Sequence, residues 1–172
     1  MSDKMILTAE HITKKFPASG KRVLTACDDI NLTLCQGETL GIVGESGCGK
    51  STFVKMIVNI LKPTEGKILY RGQDITKLKG EKLRRLRPKI QMVFQDPSAA
   101  FHPKMKVMDI VTEPLMNFRL IKQSEKEEKA KELLRMVELP EDYIYRFPHS
   151  MSGGQRQRVG IARALALEPE II

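Results

Sequence analysis

Gly44-Glu45-Ser46-Gly47-Cys48-Gly49-Lys50-Ser51 is the stretch that decides the fold. The apolar run 39–43 precedes it, and Phe53, Met56, Ile57, Ile60 and Leu61 follow at helical spacing until Pro63 closes the segment. This order predicts a buried strand, a glycine loop and a helix. It is the arrangement a phosphate cradle needs: glycines let backbone N–H groups turn inward, and the helix N-terminus adds its dipole. A chance glycine-rich turn would not carry both flanks. Lys50 is placed to bridge the outer phosphates of a nucleotide, and a lysine about 4 Å from a phosphate oxygen gains roughly 4 kcal/mol at an effective dielectric of about 20. Ser51 offers a hydroxyl to magnesium, and Thr52 continues the first helical turn. Cys48 lies where the backbone does the binding, so its side chain is free, and a thiol near a helix N-terminus is open to modification.

The strand expectations work outward from this loop. Residues 5–13 alternate loosely, 30–35 alternate cleanly, and 67–70 and 90–94 are short apolar runs. A turn is expected at 18–21. From 98 to 150 the pattern changes to helices interrupted by prolines. Residues 107–118 form one, with Pro114 expected to kink it. Ser124 and Glu127 have capping-box spacing before a helix carrying Ala130, Leu133, Leu134 and Val137 on its apolar face, with Glu125/Lys129 and Glu127/Lys131 as surface pairs. A last helix over 153–167 turns Val159, Ala162, Leu165 and Ala166 inward, and Ile171 opens a further apolar run.

Composition narrows the function classes. A chain of 172 residues holds one core or a core with a satellite subdomain. Aromatic residues make up 5%, with no Trp, which argues against a base-stacking surface. The apolar run 56–61 is too short to span a bilayer, and the first residues lack the apolar core of a signal peptide, so a cytosolic location is expected. Three cysteines without CxxC spacing suggest neither a zinc site nor a disulfide framework. The net charge of +8 concentrates in Lys77, Lys79, Lys82, Arg84, Arg85, Arg87 and Lys89, which read as the solvated face of a short amphipathic helix. His102 and His149 read as turn or packing residues.

A second loop, Ser152-Gly153-Gly154-Gln155, again presents a hydroxyl and glycine amides at a helix start. With it the chain resembles the ABC-type ATPases, whose signature is usually Leu-Ser-Gly-Gly-Gln; Met151 stands at the leucine. The resemblance covers nearly the whole chain. It implies an α/β P-loop NTPase core with an antiparallel β subdomain and an inserted helical subdomain, organised as one nucleotide-binding domain. Residues 1–97 would form the β subdomain and core, 98–152 the helical subdomain, and 153–172 the signature helix and the start of the Walker B strand. It further implies that Gly44, Glu45, Ser46, Gly47, Cys48, Gly49, Lys50, Ser51 and Thr52 hold ATP, and that Ser51 and Gln95 serve Mg2+. Lys50 and Gln95 would be catalytic, with Gln95 at the hinge to the helical subdomain. Phe16 stands where the family stacks an aromatic on adenine, although a strand residue packed in the core fits the same pattern. The stretch 94–103, with Gln95-Asp96-Pro97, and Pro148-His149 resemble the peptide and nickel importer branch, where Asn-Pro replaces His102-Pro103.

The resemblance also implies partners. A second, identical or homologous ATPase subunit would close face to face, so that Ser152, Gly153, Gly154 and Gln155 complete the partner's ATP site. Membrane permease subunits would receive the motion, a solute-binding protein would act indirectly, and the subunit would lie on the inner face of the membrane without nucleic acid. The Walker B aspartate, the catalytic glutamate and the switch histidine normally follow the strand begun at Ile171. They are expected beyond these residues, so the core sheet is expected to be incomplete and the chain by itself deficient in hydrolysis. A nucleotide- or partner-binding module without turnover is the alternative. DNA-handling and translation-linked relatives carry zinc modules, long coiled coils or two cassettes, none of which is seen.

Overall fold

The computed structural model describes residues 4–20, 22–95 and 101–172. It divides into two compact units, the first running to Leu83 and the second from Arg84 to Ile172. Lys21 of the expected 18–21 turn and residues 96–100 of the branch-specific stretch lie outside the described residues.

The first unit is led by an antiparallel sheet. Strands β1 (Met5–Pro17), β2 (Val23–Cys35), β3 (Glu65–Tyr70) and β4 (Gln73–Asp74) lie in the order β2-β1-β3-β4. β1 pairs antiparallel with both neighbours, Leu7 facing Leu34 on one side and Tyr70 on the other. The loose alternation of β1 has a cause: the register slips between Ala9 and Ile12, where His11 takes φ 53°. The bulge shifts the buried positions from Leu7 and Ala9 to Ile12. Asn31 Oδ1 accepts the His11 N–H at 2.9 Å, and His11 Nδ1 lies 2.7 Å from Asp29 Oδ1. β3 presses close at the same place, since a Cβ on Gly66 would lie 2.2 Å from the His11 carbonyl oxygen. Only glycine fits there.

Helix α1 (Lys50–Ile57) buries Phe53 and Met56 and ends earlier than Pro63. Asn59 adopts φ 57°, its N–H bonds Met56 O at 3.0 Å, and the Ile60 N–H bonds Lys55 O at 2.9 Å. That is a Schellman termination with asparagine in the glycine position. The buried Asn59 side chain then donates to Ile75 O and accepts from Lys62 Nζ, which also donates to Thr76 O at 2.6 Å and Leu78 O at 3.1 Å. These bonds tie the end of α1 to the segment after β4.

The expected strand over 39–43 is not formed. It has no strand partner among the described residues, and Leu40, Ile42 and Val43 are exposed, Val43 to 93%. A strand buried on both faces of a parallel sheet exists only when neighbours satisfy its N–H and C=O groups. No described segment supplies them. The same cause limits 90–94, where the expected strand reduces to one parallel bridge between Ile90 and Ile171, with the Gln91 N–H bonding Ile171 O at 2.9 Å.

Helix α2 (Gly80–Leu86) carries only Lys82, Arg84 and Arg85 of the expected basic face, Lys77, Lys79, Arg87 and Lys89 lying outside it, and Arg84 lies 4.7 Å over the Phe118 ring while donating to Asn117 O at 2.6 Å. The second unit packs α3 (Val107–Asn117), α4 (Lys126–Met136) and α5 (Gly153–Leu165) around one core that includes Val107, Val111, Leu134, Ile144, Val159 and Ala162. Helix α3 runs through Pro114 to Asn117. The expected Ser124/Glu127 capping box is not formed; two residues earlier, Glu125 Oε2 accepts the Lys122 N–H at 2.6 Å, while the lysine side chain has no acceptor to return the bond. Glu127 instead pairs with Lys131 at 2.8 Å and accepts from Tyr145 at 2.9 Å, while Lys129 bonds Glu132 rather than Glu125. Across the core, Arg163 and Glu113 form an ion pair at 2.7 Å between α5 and α3.

Candidate functional site

The first loop gains its shape from contact with β2. Gly49 is the N-cap of α1 in the left-handed conformation, φ 97°, and provides no side-chain cap. A Cβ on it would lie 2.1 Å from the Ala26 carbonyl oxygen and 3.4 Å from Cys27 Sγ. The loop therefore rests directly on the β2 backbone. Beneath it the Cys27 thiol points to Gly49 O at 3.7 Å, and burial pushes that thiol up from its ordinary pKa, with the Cys48 charge adding to the rise. The Phe53 N–H bonds Gly49 O at 2.9 Å. The N–H groups of Lys50, Ser51 and Thr52 precede the helical ladder and are donors for an anion.

Lys50 Nζ donates to the carbonyl oxygens of Gly44 and Glu45, both at 2.6 Å, and lies 3.5 Å from Cys48 Sγ. The positive charge is thus held at the rim of the loop by its own backbone. Residues 44–48 are exposed, so Gly44, Glu45, Ser46, Gly47 and Cys48 can all be reached from solvent. Iodoacetamide is expected to label Cys48 in preference to buried Cys27, and ATP is expected to slow the reaction at Cys48. Equal labelling rates with and without ATP, read by mass spectrometry, would place Cys48 away from the occupied loop.

Phe16 lies on the even-numbered face created by the β1 bulge. It pairs across to Leu24, is half-buried, and has Lys14 Nζ 5.0 Å from its ring centroid. It does not belong to the closed core. Gln95 is exposed and belongs to the second unit.

The second loop caps α5. Ser152 Oγ accepts the Gln155 N–H at 3.3 Å, and Gln155 Oε1 accepts the Ser152 N–H at 2.9 Å. This is a complete capping box. Because the Ser152 oxygen accepts, its hydroxyl proton remains to be donated outward. Gly153 and Gly154 are exposed, with open space where a Cβ would stand, so their N–H groups face solvent at the positive end of a 13-residue helix. Buried Met151 anchors the loop, and its carbonyl accepts from Arg156 at 2.5 Å. His149 stacks on Phe147 at 5.6 Å, and His102 accepts the Lys104 N–H at 3.3 Å.

Several contributors were not legible as site residues. Ala26 and Cys27 shape the first loop across a β-strand contact that leaves no sequence spacing. Gln155 was legible as part of the loop, but its side chain turns inward to the capping box and to Tyr143. The signal for that was present, since Ser and Gln three residues apart before a helix spell a capping box.

Two glycine-bearing loops that present backbone N–H groups at the starts of two helices in one chain narrow the field. The family model described as "ABC transporter" matches residues 27–172. The chain belongs to the ABC transporter family. It is similar to the oligopeptide transport ATP-binding protein AppF of Bacillus subtilis, 48% identical over 99% of this chain and 54% of that protein. It is also similar to OppF of Salmonella typhimurium, an oligopeptide transport ATP-binding protein, 45% identical over 88% of this chain and 46% of that one. The chain spans about half the length of these curated relatives. Among solved structures, the ATP-binding cassette MJ0796, in a dimeric post-hydrolysis state bound to ADP and Pi, superposes with a TM-score of 0.86 at 34% identity, covering 95% of this chain and 71% of that one.

The ABC family implies a nucleotide, and this loop fits one: an N-cap without a side chain in the way, three unladdered N–H groups and the Lys50 ammonium at the rim are all donors for phosphate oxygens. A magnesium ion fits as well. Among the described residues no cluster of three or more His, Cys, Asp or Glu could hold a metal. None is needed, since Mg2+ at such sites takes one or two protein ligands and completes its shell with phosphate and water. Ser51 is exposed at the first turn of α1, and its hydroxyl would be the protein ligand to such an ion. No helix among the described residues is long and apolar enough to cross a membrane.

Proposed function

We propose that the chain is the nucleotide-binding part of an ATP-binding subunit that powers import of oligopeptides or dipeptides through ATP binding and hydrolysis in a dimer. The observation that carries this reading is the pairing of two different anion-binding loops. The first contains the lysine and the magnesium-ligating serine; the second contains only a hydroxyl and glycine amides. A loop of the second kind cannot hold a nucleotide by itself, yet its donors suit charge that grows on a transferred phosphoryl group. The reading therefore assigns Gly44 to Thr52 to the chain's own ATP and Ser152 to Gly154 to the nucleotide of a second cassette, identical or homologous. ATP supplies the phosphoryl group. In this reading Lys50 would neutralise its outer oxygens and Ser51 would hold Mg2+, while Gln95, by the family resemblance alone, would serve Mg2+ and the attacking water.

The substrate class rests on similarity to peptide transporters over nearly the full chain, with nickel as the sister cargo of the branch. The subunit would lie on the inner membrane face, bound to permease subunits that receive peptide from a solute-binding protein, without a nucleic-acid partner. Uptake of labelled di- and tetrapeptides should fall to background when the gene is deleted and return on complementation. Undiminished peptide uptake with lost nickel uptake would move the cargo to the metal. Expressed by themselves, the 172 residues are proposed to bind nucleotide without turnover, because the family's catalytic glutamate is not among them. Phosphate release from that polypeptide, abolished by Lys50→Ala, would overturn this last point.

A further inference from the structure

The second loop is held by a residue that no sequence motif marks. Gln155 bonds the Ser152 N–H through Oε1, which forces its Nε2 to the other side, where it donates to the Tyr143 hydroxyl at 3.3 Å. Tyr143 is itself fixed. Its ring packs partly buried against the core of the second unit, and the Arg146 guanidinium lies 3.6 Å over the ring centroid. Its element, the 3-10 turn Glu141–Tyr145, buries Ile144 completely and connects to α3 through the Val107 N–H bond to Arg146 O at 2.9 Å. The phenol oxygen is therefore a fixed acceptor standing behind the loop.

We propose that Tyr143 is a positioning residue for the signature loop, acting through the Gln155 amide on the Ser152 turn. An amide has two ends, and the loop needs only one orientation. The Ser152 N–H, a donor only, selects Oε1; Nε2 is left facing the phenol oxygen, and its bond there anchors the side chain, so that the serine hydroxyl and glycine amides are held toward solvent before any partner arrives. Without the phenol oxygen Nε2 loses its partner, and the Gln155 side chain is free to swing away from the Ser152 N–H toward solvent. The capping box then opens and the loop must be ordered during closure, which raises the barrier for hydrolysis at the partner's nucleotide. The proposal rests on the reading that Ser152 to Gly154 serve a second cassette.

The test uses the natural assembly purified with its accompanying subunits, comparing wild type, Tyr143→Phe, Gln155→Ala, the double variant and Ser152→Ala. Tyr143→Phe keeps the ring beneath Arg146 and removes one hydroxyl. A single hydrogen bond is worth a factor of about three to ten, so kcat for ATP should fall by roughly that factor. KM should stay close to wild type, because each chain's own ATP is bound by its first loop. Tyr143→Phe should add nothing in the Gln155→Ala background, the mark of action through that residue. A merely packing role would show as a lowered melting midpoint with equal losses in both backgrounds, and would overturn the proposal. If Ser152→Ala turns over like wild type, the signature reading falls. If Ser152→Ala is impaired while Tyr143→Phe matches wild type, only the tyrosine assignment falls.

Discussion

Lys50→Ala is expected to lower ATP turnover of the natural assembly by about three orders of magnitude, the equivalent of the roughly 4 kcal/mol that one ammonium gains from a phosphate oxygen at close range. The protein itself should hardly notice the change. The bonds that Lys50 makes in the structure go to the exposed carbonyls of Gly44 and Glu45, which water can satisfy when the ammonium is gone. Melting midpoints of Lys50→Ala and wild type should therefore agree, while phosphate release and fluorescent-nucleotide binding separate them. Lys50→Arg should also be impaired, since a planar guanidinium does not fit a site shaped for a compact point charge. Turnover in Lys50→Ala within tenfold of wild type would place the essential cation elsewhere.

Gly49→Val is expected to fail for the opposite reason, through the fold. The position combines φ 97° with a Cβ site 2.1 Å from the Ala26 carbonyl oxygen, and the obstacle is backbone rather than a side chain that could swing aside. A β-branched residue at positive φ costs on the order of 1–3 kcal/mol, and the overlap with β2 adds about as much again. The substitution must push the loop off β2, carrying the N-terminus of α1 with it. Nucleotide binding should be lost together with several degrees of melting temperature. Gly41→Ala is the control: its Cβ meets nothing within 4 Å and its φ lies outside the left-handed region. A Gly49→Val protein with wild-type stability and binding would show that the loop does not depend on resting against β2.

The two substitutions separate chemistry from architecture within a single loop, and the sequence foretold them unequally. Lys50 and Ser51 were legible because a spacing motif records what the ligand requires. The role of Ala26 was not, because it acts through a main-chain oxygen, which every residue possesses. Helix ends were hidden in a similar way. The left-handed positions after α1, α3 and α4 are Asn59, Arg119 and Glu138, where a glycine would have announced the stop.

By itself the sequence determined the elements whose cause is local or periodic. These are the glycine loop before an amphipathic helix, the alternating strands flanking it, the helical run from α3 to α5, and the Ser152 to Gln155 turn. The tertiary structure decided what depends on a neighbour. It left 39–43 unpaired and exposed although its composition is that of a buried strand, because no described segment completes its hydrogen bonds. It set Gly49 against Ala26, moved the register of β1 at His11, and placed Tyr143 behind Gln155. A residue's chemistry can be read from its type and spacing, whereas its hydrogen-bond partners and its burial belong to the whole chain.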